Sequence, residues 1–397
     1  MSYPRIYLAM DNCFAIKRWV RPSDWMPLIK ELGVNCVEAS TDNEIDPLFS
    51  PDNYMDSWLN EVQTEQERLE MRVVNFFTGY QTYRTIGIAH HDERVKRLLL
   101  EGWFGKLIPY AAELRAGIGF SFHAIPEKIL QNPDEFASKS KGIIQVYGEL
   151  SAQAWRKGRV VLSCEQMYSP HQPPWRIEET KKFLADVYAI GNSPFYTTID
   201  VGHMVGQRRF LRPDAEMLRQ CITTIKSGQI VRDLWLGPDE AWSYLENNAT
   251  KQSEDKTISA LMAIFDKYPY LFAEERDKKP YEWLEELGAY SPIIHMQQTD
   301  GLTSGHAAFT PSSNEKGIIK GKEVLDALLV AYNKPIDPKM PPRTETICLS
   351  FEIFISNIAY LRDSLDGLRK SVEYWREYIP QDGADLKELV DRLARRK

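Results

Sequence analysis

No stretch of this sequence approaches the roughly 20 consecutive apolar residues of a membrane-spanning helix. The N-terminus MSYPRIYLAMDN enters a strand-like pattern directly, without a basic region and an apolar signal segment. The chain therefore reads as cytoplasmic, with no membrane partner. Cysteine is sparse: Cys13, Cys36, Cys164, Cys221 and Cys348 are odd in number, widely scattered and never in a CxxC pair, which argues against a disulfide framework or a zinc knuckle. Cys164 and Cys348 sit inside apolar runs and read as small buried hydrophobes. Basic charge is not in excess. A net charge of -7 over 397 residues leaves no electrostatic footprint for nucleic acid or anionic membrane. No glycine-rich dinucleotide turn follows the first strand-like segment, which argues against a doubly wound open sheet.

What is present is an alternation of strand-like and helix-like patterns. The segments IYLAMDNCFAI, VNCVEAS, RVVNFFTGY, GIGFSFHAIP, VVLSCEQMY, FYTTIDVGH, PIIHMQQTDG and ICLSFEIF read as strands, and amphipathic helical patterns separate them. Eight strands joined by helices predict an α/β fold, a (β/α)8 TIM barrel over residues 1–397. Asp200 follows Glu165 by 35 positions, about one βα unit, whereas His295 follows Asp200 by 95. The surplus predicts a helical insertion over 207–285, between strands 6 and 7. Trp235, Trp242 and Tyr244 in it are candidates for a lid, a subunit contact or plain packing. SNIAYLRDSLDGLRKSVEYWREYI is expected to close the barrel, and 380–397 to form a C-terminal helical extension, a solvated tail.

Barrel enzymes place their chemistry at the carboxyl ends of the strands. Glu165, Asp200, His295 and Glu352 occupy such positions on the last four, where a closed barrel makes them converge. Three oxygen ligands and one nitrogen suit a divalent cation. A buried carboxylate in an apolar strand also demands a partner. A sugar α-hydroxy carbonyl can chelate such an ion, and flanking carboxylates can then move the proton of the adjacent C–H. Glu165 and Glu352 are the candidates for that work. Transfer across two faces gives epimerisation, and transfer on one face gives aldose–ketose isomerisation.

The ordered set of Glu165, the Asp-x-x-His of Asp200 and His203, His295 and Glu352 resembles the xylose isomerase-like TIM barrel superfamily, in particular its ketose 3-epimerase and sugar-phosphate isomerase/epimerase branch. The resemblance runs from the first strand to the eighth. It implies that Glu165, Asp200, His295 and Glu352 bind one divalent metal, Mn²⁺ first and otherwise Mg²⁺, Co²⁺ or Zn²⁺. It also implies that the two Glu residues handle protons, that His203 contacts substrate, and that the chain forms a homo-oligomer. One departure stands out. After His295 the chain continues MQQTDG and LTSGHAAFT, where the tagatose-type epimerases carry a basic substrate-contacting residue.

Further candidates for substrate contact are His123 at the end of FSFHAIP, His306 in the polar loop after the seventh strand, and Asn12, Phe77 and Gln298 at strand ends, with Asp11 and Gln166 as further residues of the mouth. Lys316, Lys320 and Lys322, near glycines, are candidates for a phosphate on the substrate. The expected partner is a small sugar or sugar phosphate, and the expected activity a divalent-metal-dependent isomerase or epimerase. A hydrolase of the abasic-site endonuclease type would call for more than seven histidines and for a basic groove. A non-catalytic sugar-binding barrel would not require the full ligand set.

Overall fold

The computed structural model describes residues 2–79 and 84–395. Tyr80, the last residue of the third strand-like segment, and the final two residues of the tail lie outside the described residues. Strands β1 (Arg5–Asp11), β2 (Cys36–Ser40), β3 (Arg72–Thr78), β4 (Gly117–Phe120), β5 (Leu162–Glu165), β6 (Phe195–Asp200), β7 (Ile293–Met296) and β8 (Thr346–Phe351) pair in parallel in chain order. β1 pairs with both β8 and β2, so the sheet closes on itself. This is a (β/α)8 TIM barrel. The strands are buried on both sides, hence their near-continuous apolar runs.

Helices Pro22–Glu31, Asp52–Leu69, Gly105–Leu114, Pro133–Gly158, Ile177–Gly191, Pro280–Leu287, Gly321–Asn333 and Leu361–Arg376 follow the successive strands. Each presents an apolar stripe to the barrel, and Trp25, Trp103, Trp175, Trp283 and Trp375 are fully buried in the layer so formed. The long gap between β6 and β7 holds three extra helices, Ala215–Lys226, Asp239–Asn248 and Glu254–Phe265. A bridge between Leu211 and Ala273 draws the two ends of this excursion together. Trp235 packs at right angles on Phe210 and donates its indole N–H to the Leu271 carbonyl, so packing of the insert accounts for it.

The C-terminal segment differs from the solvated tail expected of it. Ala384–Asp385 adds a short antiparallel pairing at the start of β1, with Arg5 opposite Asp385. Asp385 then caps helix Leu386–Ala394 by accepting from the N–H groups of Lys387 and Glu388. Leu386 and Leu389 are buried. Among the described residues no helix is long and apolar enough to cross a membrane.

Candidate metal centre and active site

Parallel pairing sets Asp200 of β6 directly beside His295 of β7. Glu165 ends β5, and Glu352 follows the last residue of β8. One ligand atom from each of the four lies within 4.8 Å of the others, and all four residues are buried. His295 Nδ1 is 3.0 Å from Glu165 Oε1 and 3.3 Å from Glu352 Oε2. Asp200 is fixed by the backbone N–H groups of Gly202 and His203, at 2.6 and 3.2 Å. Among the described residues no lysine or arginine pairs with Glu165, Asp200 or Glu352. Glu352 Oε2 is buried without a hydrogen bond, its nearest ring nitrogens being those of His295 and His306, both at 3.3 Å. Three carboxylates and an imidazole, buried and without a lysine or arginine partner among the described residues, are a donor set that fits a divalent cation.

The protonation pattern reflects this crowding. Burial opposes a charged His295, yet Glu352, Glu38 and Glu165 together raise its pKa well above the ordinary imidazole value. Burial likewise opposes ionisation of Glu352, but His295 and His306 hold it well below the usual carboxylate range. Glu165 is raised by burial, against the pull of His203 and His295. Asp11 is raised well above normal by burial and by the neighbouring Glu38 and Glu352. His306 is carried up to about 9, burial being outweighed by Glu352.

A cavity of about 270 Å³ opens over this cluster, and Asp11, Phe77, Glu165, His203, His306 and Glu352 are among its lining residues. His203 aims Nδ1 at the Gln166 carbonyl, 3.0 Å away, which leaves Nε2 facing Asp200 Oδ2 at 3.6 Å. His306 adopts a left-handed backbone (φ 48°) and stacks on Phe354 with ring centroids 3.8 Å apart. Phe77 meets His295 edge to face at 4.4 Å. The outer rim is apolar, with Ile16, Met167, Phe354 and Ile355, and Lys17 is its one lysine among the described residues.

No protein-family model matches the chain. Over 127 residues, 32% of this chain and 38% of the relative, it is 30% identical to the D-erythrulose 1-phosphate 3-epimerase of Brucella abortus (strain 2308). The match thus spans well under half the length of that protein. Among solved structures, a provisionally named xylose isomerase from Rhodospirillum rubrum superposes with a TM-score of 0.65 at 17% identity, covering 94% of this chain and 99% of that one. The IOLI protein with a bound zinc atom superposes with a TM-score of 0.55 at 11% identity, covering 94% and 99%. The fold is shared with these two proteins.

Within this barrel, three of the residues expected to contact substrate turn away from the cavity. His123 is buried with Nδ1 2.8 Å from the Tyr147 hydroxyl, in the layer between barrel and helices, and burial drives its pKa down to about 3. Gln298 is spent on structure: its amide donates to Asn314 Oδ1 and the Ile319 carbonyl, and its oxygen accepts from the N–H groups of Thr299 and Ile319. Asn12 accepts from the Ser40 N–H at 2.7 Å and so braces the end of β2. The lysines proposed for a phosphate are also elsewhere. Lys320 donates to the Asn314 carbonyl, Lys322 pairs with Asp326, and neither these nor Lys316 lines the cavity.

Two residues of the centre were not singled out from the sequence. Gln297 donates its amide to both oxygens of Asp200 and accepts from the His306 N–H at 2.8 Å. A Cβ on Gly202 would lie 2.4 Å from the Gln297 side chain, so that approach requires glycine there. Glu38, on β2, faces His295 Nε2 at 3.1 Å.

Proposed function

We propose that the protein is a divalent-metal-dependent isomerase or epimerase of a small sugar or sugar phosphate. The observation that carries this reading is that Glu165 and Glu352, two carboxylates without a lysine or arginine partner among the described residues, border one small cavity and flank the same imidazole nitrogen. The cavity falls just below the roughly 300–1,000 Å³ of drug-sized ligand pockets, a scale that suits a monosaccharide. The similarity to an enzyme named as a sugar-phosphate 3-epimerase agrees with it. Among the described residues a single lysine lines the cavity and makes no groove for a polyanion, which disfavours phosphodiester hydrolysis.

Glu165, Asp200, His295 and Glu352 would hold the cation, with Mn²⁺ the first choice for an oxygen-rich set and Mg²⁺, Co²⁺ or Zn²⁺ as substitutes. When bound, it would polarise the substrate carbonyl and so acidify the neighbouring C–H. One glutamate removes that proton to give an enediolate, and the other delivers a proton to the opposite face, inverting the carbon. His203 and His306 stand where substrate hydroxyls would be gripped, and Phe77 with the apolar rim excludes water.

The test is to incubate cation-loaded and chelator-stripped protein in D₂O with tetroses to hexoses, free and phosphorylated, and follow deuterium beside the carbonyl by NMR. Cation-dependent exchange, with the carbon identified, supports the reading. Absence of both exchange and any new sugar across the panel removes it.

A further inference from the structure

The geometry points to Glu38 as a positioning residue that fixes which ring nitrogen of His295 faces the cation site. This rests on the reading of Glu165, Asp200, His295 and Glu352 as ligands.

Glu38 is fully buried, and an isolated buried carboxylate is costly, so its partners reveal its role. It has two. Oε1 accepts from Asn75 Nδ2 at 2.7 Å, and Oε2 lies 3.1 Å from His295 Nε2. Local irregularity places it there. β2 and β3 pair Val37 with Val73 but Glu38 with Asn75, a bulge that leaves Val74 out of register. Bulges re-aim side chains, and this one brings Glu38 and Asn75 together in the barrel interior. Room for Asn75 comes from β4, where a Cβ on Gly117 would lie 2.7 Å from Asn75 Oδ1.

The chain Asn75, Glu38, His295 therefore runs up the barrel interior and ends at Glu165 and Glu352. Both ring nitrogens face carboxylates, which can only accept, Nδ1 at Glu165 and Nε2 at Glu38; a cation held by Glu165 and Glu352 would take the place of the Nδ1 proton, while Nε2 would keep the one that Glu38 receives. The lone pair of the neutral ring is then left on Nδ1, the nitrogen facing Glu165 and Glu352. A carboxylate behind a metal-ligating histidine also makes the ligating nitrogen a stronger donor. Phe77 packs edge to face against the same ring, with centroids 4.4 Å apart.

The experiment compares wild type with Glu38→Gln and Glu38→Leu in two readouts. Mn²⁺ binding is titrated by EPR of the free ion, and ring tautomers are read from long-range ¹H–¹⁵N spectra of ¹⁵N-histidine protein loaded with Zn²⁺. The expected wild-type pattern for His295 is a protonated Nε2 with a metal-shifted Nδ1. Glu38→Leu should lose that pattern and bind Mn²⁺ about 10- to 100-fold more weakly. Glu38→Gln, whose amide oxygen can still accept but carries no charge, should keep the pattern with a smaller loss. Should the leucine variant fail to fold, Asn75→Ala, which frees Glu38 on its far side, should weaken Mn²⁺ binding several-fold. Variants that match wild type in both readouts overturn the inference alone. So does loss of a second equivalent of Mn²⁺ in Glu38→Leu with the first unchanged, since Glu38 would then be a ligand. A wild type that binds no divalent cation overturns the reading of the cluster as well.

Discussion

Gln297 donates its side-chain amide to both carboxylate oxygens of Asp200, at 2.8 and 3.0 Å, and its own oxygen accepts from the His306 N–H. One residue thus ties a candidate ligand to the loop that carries a candidate substrate-gripping histidine. Gln297→Ala should lower kcat/KM and weaken cation binding with modest loss of stability. Gln298→Ala should do the reverse, lowering the unfolding free energy by about 2–3 kcal/mol through four lost hydrogen bonds while leaving kcat near wild type. Urea unfolding and steady-state kinetics on the pair check this. Equal kinetic effects in both variants would contradict the assignment.

That pair also shows where sequence reading stops. Strand alternation puts His295 and Gln297 on the cavity side and Met296 and Gln298 on the other, and choosing between adjacent glutamines requires knowing how far the strand's regular period extends past Met296. At the end of β1 the sequence offers both Asp11 and Asn12 as residues of the mouth, and the structure separates them: Asn12 braces β2 and Asp11 lines the cavity. The eight strands were legible because their apolar runs are long, and the convergence of Glu165, Asp200, His295 and Glu352 followed from strand-end position. The insertion was legible as surplus spacing. Glu38 was not, because all five residues of β2 are buried and a bulge decides which way it points.

Substituting the two glutamates separates the proton-transfer roles. Glu165→Gln and Glu352→Gln should each reduce turnover by about 10²- to 10⁴-fold, the usual worth of a general acid–base group, with far-UV circular dichroism unchanged. If the two act on opposite faces, each variant should still exchange deuterium into one epimer, the one whose proton faces the surviving carboxylate. Exchange in both epimers by a single variant would contradict the assignment of one carboxylate to each face.

Removing the cation should cost stability as well as activity. A ligand that binds only the folded state stabilises it by RT ln(1 + [L]/Kd), about 2.7 kcal/mol at a hundredfold excess over Kd. Chelator-stripped protein should therefore unfold at lower temperature than protein with excess Mn²⁺. The difference should vanish in Asp200→Asn if Asp200 is a ligand. A melting temperature indifferent to Mn²⁺, Mg²⁺, Co²⁺ and Zn²⁺ alike would count against the centre.

Glu44 supplies a pH dependence that is separate from the centre. Its Oε1 accepts from the indole N–H groups of Trp25 and Trp58, at 3.1 and 3.0 Å, while Oε2 is buried without a hydrogen bond. Burial, only partly offset by the two indoles, pushes its pKa from 4.5 up to about 7. The folded state therefore holds this proton more tightly than the unfolded chain does. The resulting stabilisation is fully present below about pH 4.5 and is lost as pH rises through about 7. Glu44→Gln keeps an acceptor for the indoles and removes the charge, so its stability advantage over wild type should grow from about pH 5 to about pH 8. Urea midpoints of the two proteins at both pH values measure the effect, and an advantage that shrinks with rising pH would reverse the sign argued here.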